Sequence, residues 1–307
     1  MPVKAPRFCF YRRLIPVGAL FVVMLLCLTA GNAQGPLTRH AISLAESGQL
    51  EEAEYKLAAA MATDEARDPM TWYVQAYVQK ERFVARGKQV DDPLRGEALR
   101  SAEQCRLLDS DQNMDQWLVP LLEFLAESHL EDMRAAIPEA TPGKPPRALG
   151  HFSAYAKVLT LADPEWDEIP EWVLLHQQLG EHGMESARLY EQGAAGPWFD
   201  MGVHHYTLAG ERQHDRYRSV YNLAVHTYNQ GVREFKAAED DLDAVDAALA
   251  RAAKHWQRAS DLLATTIDID SGQTEAYEAW AIVSKALLNQ DRVDWCRDHI
   301  EELRGGR

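Results

Sequence analysis

Residues 259–288, ASDLLATTIDIDSGQTEAYEAWAIVSKALL, indicate the fold of this chain. Ala259, Leu263 and Thr266 are spaced four and then three residues apart, which places them on one face of a helix. The helical period stops at 268–272, where turn-forming and helix-capping residues accumulate. The stretch therefore predicts one helix that ends in an acidic turn, with a second helix after it.

The second helix has Tyr277, Trp280 and Ala281 on its packing side. The small residues Ala259 and Ala281 allow the two helix axes to approach closely, while larger side chains fill the space beside them. A helical hairpin of this kind cannot bury its apolar face alone. We therefore expect neighbouring pairs of the same kind elsewhere in the chain.

Similar spacings of small and apolar residues recur along the sequence. The predicted packing positions are Ala41, Gly48, Ala53, Leu57, Ala60, Trp72, Ala76, Ala98, Ala102, Ala224, Ala259, Leu263, Thr266, Tyr277 and Ala281. With these residues the chain resembles the tetratricopeptide repeat (TPR) family, although Ser271 stands where that family usually has proline. The resemblance implies an all-α, right-handed superhelical solenoid of antiparallel helix pairs, partly degenerate in the middle of the chain. It also implies a protein or peptide partner, bound in a groove lined by the first helix of each pair.

The first 33 residues are predicted to be a signal peptide. Lys4, Arg7, Arg12 and Arg13 form a basic region, an uncharged apolar run covers 14–30, and Gly31-Asn32-Ala33 supplies small residues for cleavage. This pattern predicts Sec-type export to the periplasm or cell envelope. The alternative is that the leader is not cleaved and that residues 14–30 anchor the chain in the inner membrane. Association with a membrane is expected only through such an anchor.

The remaining chain is predicted to contain two sets of helical repeats. N-terminal repeats are expected over 34–137 and C-terminal repeats over 151–307, and residues 138–150 form a proline-rich loop or linker between them. The length of this segment leaves open whether it separates two domains or only connects consecutive repeats. Within the C-terminal set, a helix is expected to begin at Pro197.

The charge of the chain excludes some classes of ligand. Its 32 Lys and Arg residues are outnumbered by 47 Asp and Glu residues, which gives a net charge of −15. Such an acidic surface repels phosphate backbones, and no basic stripe interrupts it, so we expect no nucleic-acid partner. No pattern indicates a cofactor.

The histidines provide the alternative hypothesis, a helical envelope enzyme or metal-dependent hydrolase. The candidates between 176 and 226 are His176, His182, His204, His205, His214 and His226. Adjacent helical residues point about 100° apart, so His204 and His205 are not expected to chelate one ion together. No nucleophile elbow, phosphate-binding glycine loop or His-Glu-x-x-His motif is present. The sequence therefore favours a non-enzymatic protein with no catalytic residue and no metal site.

Two groups of residues are predicted to line the partner-binding groove. They are Tyr73, Tyr77 and Lys80 near the N-terminus, and Glu278, Ile282 and Lys285 near the C-terminus. Aromatic residues make effective anchors because they bury much area with few rotatable bonds. The acidic chain favours an apolar or basic partner segment. The alternative role of Tyr73 and Tyr77 is to close the gap to the next helix pair.

If the leader is cleaved, the mature protein will begin near Gln34, because Gly31 and Ala33 are the small residues that a signal peptidase requires. Intact-mass measurement of the exported protein checks this expectation. A mass that retains Met1, found in the membrane fraction, would instead support the anchor.

Overall fold

Proline and aspartate mark where several helices begin. A computed structural model describes residues 35–189, 192–212, 217–238 and 242–305, with the side chains of 192–194 and 242 left out. Asp68 accepts a hydrogen bond from Met70 N (2.9 Å) just before Pro69, and Asp92 accepts one from Leu94 N (3.0 Å) just before Pro93. Proline fits the first helical position because the amide hydrogen that it lacks would have no partner there.

The described residues form α-helices and short 3-10 turns. The helices are α1 (Pro36–Glu46), α2 (Leu50–Met61), α3 (Pro69–Ala85), α4 (Pro93–Leu108), α5 (Asp115–Ala136), α6 (Arg147–Ala162), α7 (Ile169–Leu189), α8 (Gln192–Arg212), α9 (Tyr217–Lys236), α10 (Leu242–Ile269), α11 (Thr274–Ala286) and α12 (Gln290–Gly305). No strand occurs within these ranges. Among the described helices, none combines the length and the apolar character needed to cross a membrane. The predicted leader, including the possible anchor at 14–30, lies outside the described residues.

The chain divides into two compact units. The first extends through Ser128 and includes Leu161–Asp163, while the second comprises His129–Thr160 and the chain from Pro164 onward. Consecutive helices pack as pairs: α1 with α2 and α3 with α4 in the first unit, then α7 with α8, α9 with α10 and α11 with α12 in the second. The prediction of an all-α chain of packed helix pairs is therefore confirmed.

The proline-rich segment lies within the second unit. A 3-10 turn covers Ile137–Glu139, and α6 begins at Arg147, directly after the last of the four prolines. Helix α6 therefore starts inside the range predicted as loop or linker. The predicted division of the repeats at 138–150 itself stays a prediction.

The expectation that a helix begins at Pro197 is wrong. Helix α8 already begins at Gln192, and Pro197 lies inside it. Pro120 likewise lies inside α5. A proline near the start of a helix removes one backbone hydrogen bond, and the packing of the surrounding turns can outweigh that loss. Proline therefore marks the exact start of some helices here but not of all.

Glycine and alanine bring the paired helices of the second unit close together. An added Cβ on Gly231 of α9 would lie 2.7 Å from Trp256 Nε1 and 2.9 Å from the Ala252 carbonyl oxygen, both on α10. Ala224 and Ala259 are completely buried in the same cluster. The interface between α9 and α10 therefore has no room for a larger residue at position 231.

Replacing Gly231 by alanine is expected to lower the free energy of unfolding by about 1–3 kcal/mol, because the added methyl group overpacks this interface. Gly150→Ala is the matched control, since Gly150 is an exposed helical residue whose added Cβ would meet nothing within 4 Å. The control should be neutral or should gain up to about 1 kcal/mol from helix propensity. Urea unfolding of both variants measures the difference. Equal midpoints would mean that α9 and α10 do not approach as closely as described.

Candidate protein-binding surface

Most of the predicted packing residues are deeply buried. Relative exposure is 0–3% at Ala41, Ala53, Leu57, Ala60, Ala76, Ala98, Ala102, Ala224, Ala259, Leu263, Thr266 and Tyr277. Trp72 and Ala281 are half-buried. Gly48 lies in the turn between α1 and α2 with φ of +78°, a conformation that glycine adopts without steric cost. The side chains that are not used in this packing are the ones available to a partner.

The three predicted groove residues near the N-terminus lie along α3 but differ in exposure. Tyr73 is only 3% exposed, whereas Tyr77 and Lys80 are half-buried. The Tyr73 ring lies 6.5 Å from the Tyr77 ring and 6.4 Å from the ring of Trp117 on α5. Burial therefore favours a packing role for Tyr73, in which it supports two aromatic residues that remain partly exposed.

Lys80 connects aromatic residues of two helices. Its Nζ atom lies 4.8 Å from the centre of the Tyr77 ring and 5.2 Å from the centre of the Phe124 ring on α5. Lys88 Nζ lies 5.0 Å from the same Phe124 ring. Cations at such distances are attracted to the negative faces of aromatic rings. We call Tyr77, Lys80, Trp117 and Phe124 the aromatic face; all four side chains are half-buried.

Trp117 and Phe124 were not among the residues predicted from the sequence. Both belong to α5, which contains none of the predicted packing positions, so no repeat position pointed to them. Trp117 lies beside Tyr73 of α3, and Phe124 lies beside Lys80 of α3. Both are contacts between separate helices, which spacing along one helix does not predict. The sequence contains one indication of their role: both are large aromatic residues in a stretch that is strongly helical.

One carboxylate, that of Glu81, contacts the polar atoms of Tyr77 and Lys80 in the aromatic face. Glu81 forms an ion pair with Lys80 and a hydrogen bond with the Tyr77 hydroxyl. Burial raises the pKa of Tyr77 most, and the nearby charges of Glu81 and Glu46 raise it further. Tyr77 therefore stays neutral at physiological pH. Since Lys80 is paired with Glu81, the face combines apolar rings with locally balanced charge.

The C-terminal groove residues lie on α11, in the other compact unit. Ile282 is 52% exposed, and Glu278 and Lys285 are exposed as well. Arg304 Nη2 of α12 donates a 2.5 Å hydrogen bond to Glu278. These three residues share one exposed side of the helix, because they are spaced four and three residues apart. The structure thus brings each predicted trio together on its own helix.

A second surface feature of the first unit is a pocket of about 580 Å³. It is lined by Glu51, Glu54, Tyr55, Ala58, Met61, Trp72, Gln75, Gln79 and Ser101, from α2, α3 and α4. Arg82 forms ion pairs with both Glu51 and Glu54. Tyr55 is 74% exposed and therefore stands at the open side of the pocket. This pocket uses residues of α3 other than Tyr77 and Lys80, and the sequence did not predict it.

The histidines of the alternative hypothesis fall into separate environments. His176 Nδ1 and His205 Nδ1 lie 2.9 Å apart, and each residue is 3% exposed. His204 is exposed, and His182 Nε2 lies 3.1 Å from the carbonyl oxygen of Ala140. His214 lies outside the described residues. The histidines thus do not converge as one set, and the closest pair is buried.

A second polar cluster in the same region contains Glu181, Tyr206 and His226. The Tyr206 hydroxyl donates a 2.5 Å hydrogen bond to Glu181 Oε2, and His226 Nε2 lies 3.3 Å from the same oxygen. The bond from His226 lowers the pKa of Glu181 most, burial opposes it, and the Tyr206 hydroxyl lowers it further, to about 2. Burial followed by the Glu181 contact raises the pKa of Tyr206. Both pKa values thus move away from neutrality, which makes these groups poor proton carriers near pH 7.

Comparison with known proteins identifies no family. No protein-family model matches the chain, and no curated protein matches it. Among solved structures, the chain is similar to the crystal structure of PilW, described as a widely conserved type IV pilus biogenesis factor. The alignment covers 89% of this chain and 94% of that one, at 13% sequence identity and a TM-score of 0.29. A likeness of that size carries no functional assignment.

The buried histidine pair predicts a pH-dependent stability. The pKa of His176 is lowered to about 3, mostly by burial and then by the nearby His205, His204 and Arg212. The pKa of His205 is lowered to about 4, mostly by burial and then by His204. Unfolding restores the ordinary pKa of about 6.5, so the unfolded chain binds more protons below that pH. The contribution of the pair is therefore complete above pH 6.5 and is lost as the pH falls toward 4. The expected slope is about 1.4 kcal/mol per pH unit for each proton taken up on unfolding.

Urea unfolding at several pH values tests this prediction. The double variant His176→Leu/His205→Leu removes both titrating groups, and replacing both partners of a buried hydrogen bond by apolar residues can be nearly neutral. Its stability should depend less on pH between 6.5 and 4 than that of the parent protein. The same pH dependence in both proteins would mean that the pair is not buried in its neutral form.

Proposed function

We propose that this protein is a non-enzymatic, TPR-like scaffold of the cell envelope that binds a segment of another protein. The observation that carries the proposal is the position of Lys80 between the rings of Tyr77 on α3 and Phe124 on α5. This arrangement joins aromatic side chains from two helices into one partly exposed surface. Such a surface is what the TPR resemblance implies for the helices that line a groove.

The support beneath the aromatic face favours binding with little loss of side-chain freedom. Tyr73 is buried and packs near both Tyr77 and Trp117. Glu81 holds the Tyr77 hydroxyl and the Lys80 ammonium group. Side chains that are already fixed lose less conformational entropy when a partner binds, and aromatic residues are frequent anchors at interfaces.

The chemistry of the face suggests the kind of partner. Tyr77, Trp117 and Phe124 suit apolar side chains of the partner, and the net charge of −15 favours a segment that is neutral or basic. Nucleic acid is disfavoured by the same charge. Placement in the envelope rests on the basic and apolar pattern of residues 1–33.

Replacing Tyr77 by alanine, alone and together with Phe124→Ala, is expected to reduce partner capture from envelope extracts at least about fivefold, since an aromatic anchor contributes more than about 1 kcal/mol to binding. Tyr55→Ala is the matched control, because Tyr55 is 74% exposed and lies on α2 beside the pocket. Circular dichroism must show that each variant keeps the helical signal of the parent.

Quantitative mass spectrometry of the captured proteins measures the outcome. Loss of the same captured protein in the Tyr77 variants, with retention in Tyr55→Ala, supports binding at the aromatic face. Loss in Tyr55→Ala alone would assign the interaction to the pocket and contradict the proposal. Unchanged capture in all the folded variants would contradict it as well.

A further inference from the structure

Three metal-ligand side chains converge at the end of α5 and the start of α6. One donor atom from each of His129, Asp132 and His151 lies within 4.8 Å of the donors of the other two. His151 Nδ1 is 4.0 Å from Asp132 Oδ2. All three residues belong to the second compact unit, so their arrangement lies within one body.

The backbone explains why these residues meet. His129 and Asp132 are three residues apart on α5, and that spacing places two side chains on the same helix face. His151 lies in the second turn of α6, beyond the segment that carries Pro138, Pro142, Pro145 and Pro146. Two donors therefore come from α5 and the third from α6. The proline-rich segment connects these two helices.

The donor set and its burial are those of a transition-metal site. Two imidazole nitrogens and one carboxylate oxygen suit zinc and its neighbours, whereas calcium and magnesium prefer oxygen ligands alone. The exposed fraction is only 15% for the His151 side chain and 13% for the Asp132 side chain. Ion pairs that serve only solubility lie on open helix faces, so this partial burial is unusual for a chance surface cluster.

The spacing of the donors is close to what a bound ion requires. Ligand atoms about 2.0–2.2 Å from a tetrahedral zinc ion are roughly 3.3–3.6 Å apart. His151 Nδ1 and Asp132 Oδ2 are 4.0 Å apart and all three donors lie within 4.8 Å of one another, so a bound ion would draw the donor atoms closer by roughly 0.4–1.5 Å. The same 4.0 Å is too long for a hydrogen bond between these two atoms.

We propose that His129, Asp132 and His151 form a binding site for a divalent transition-metal ion, with Zn²⁺ as its occupant. Three protein ligands leave one tetrahedral position for water or for a group from a partner. The ion would join α5 to α6 and hold the proline-rich segment at both of its ends. Because the bound metal stabilises the folded state only, its presence would raise the melting temperature of the protein.

The test uses the whole chain after chelator treatment, titrated with Zn²⁺ and, for a spectroscopic signal, with Co²⁺. The parent should bind one equivalent of Zn²⁺, show a higher melting temperature, and give Co²⁺ absorption bands of four-coordinate nitrogen and oxygen ligation. His151→Ala and the near-isosteric Asp132→Asn should each weaken Zn²⁺ binding by about tenfold or more. In both variants the melting temperature should no longer respond to the ion.

His40→Ala is the matched control, since His40 is exposed on α1 and lies in the other unit. It should bind Zn²⁺ as the parent does. Circular dichroism checks the fold of each variant, and Asp132→Asn keeps the test valid if His151→Ala does not fold. Absence of stoichiometric binding by the parent would overturn the proposal. Binding that persists unchanged in a folded Asp132→Asn or His151→Ala variant would overturn it too.

Discussion

The close approach of paired helices at alanine and glycine is the constraint on which the rest of this structure depends. On α7 and α8, an added Cβ at Gly183 would lie 2.7 Å from the backbone nitrogen of Gly202. An added Cβ at Gly202 would lie 3.0 Å from the carbonyl oxygen of Gly180. Backbone atoms cannot move aside as the end of a flexible side chain can. These positions therefore fix how near the two helices lie, and larger neighbours such as Met184 and Phe199 fill the space around the contact.

This packing determines which residues remain for function. In the first unit Ala76 is fully buried and Tyr73 nearly so, so α3 directs these residues into the interior. Tyr77 and Lys80 are left at the border, where α5 supplies Trp117 and Phe124. The aromatic face is thus a consequence of the helix packing, since buried side chains beneath it set the positions of the exposed ones. The same logic applies to the proposed metal site, which forms where α5 and α6 bring their polar residues together.

The periodic part of the sequence predicted the all-α fold of packed helix pairs. Alanine at four-residue and three-residue spacings identified helix faces, and positions such as Ala53, Ala98 and Ala259 are completely buried. Local chemistry explains the helix starts at Pro69 and Pro93, where a preceding aspartate caps each helix. The expectation of a helix start at Pro197 failed, because α8 begins five residues earlier, at Gln192, and contains this proline.

The candidate sites were only half predictable, for a physical reason. Tyr77 and Lys80 share one helix, so their common face follows from helical geometry alone. Their contact with Phe124, and the meeting of His151 with Asp132, depend on how separate helices pack. No repeat position on α5 marked its aromatic residues, and no metal-binding motif in the sequence includes His129. Contacts between helices of this kind lie outside what spacing along one helix can show.

The most direct test of the close-approach constraint is a double-mutant cycle between Gly183 and Gly202, measured by urea unfolding. Both added methyl groups would press on the same contact between α7 and α8. Once one of them has separated the helices, the second has more room. The account predicts that Gly183→Ala/Gly202→Ala destabilises the protein less than the sum of the two single variants, by about 0.5–3 kcal/mol. Strictly additive effects, or no destabilisation by either single variant, would contradict it.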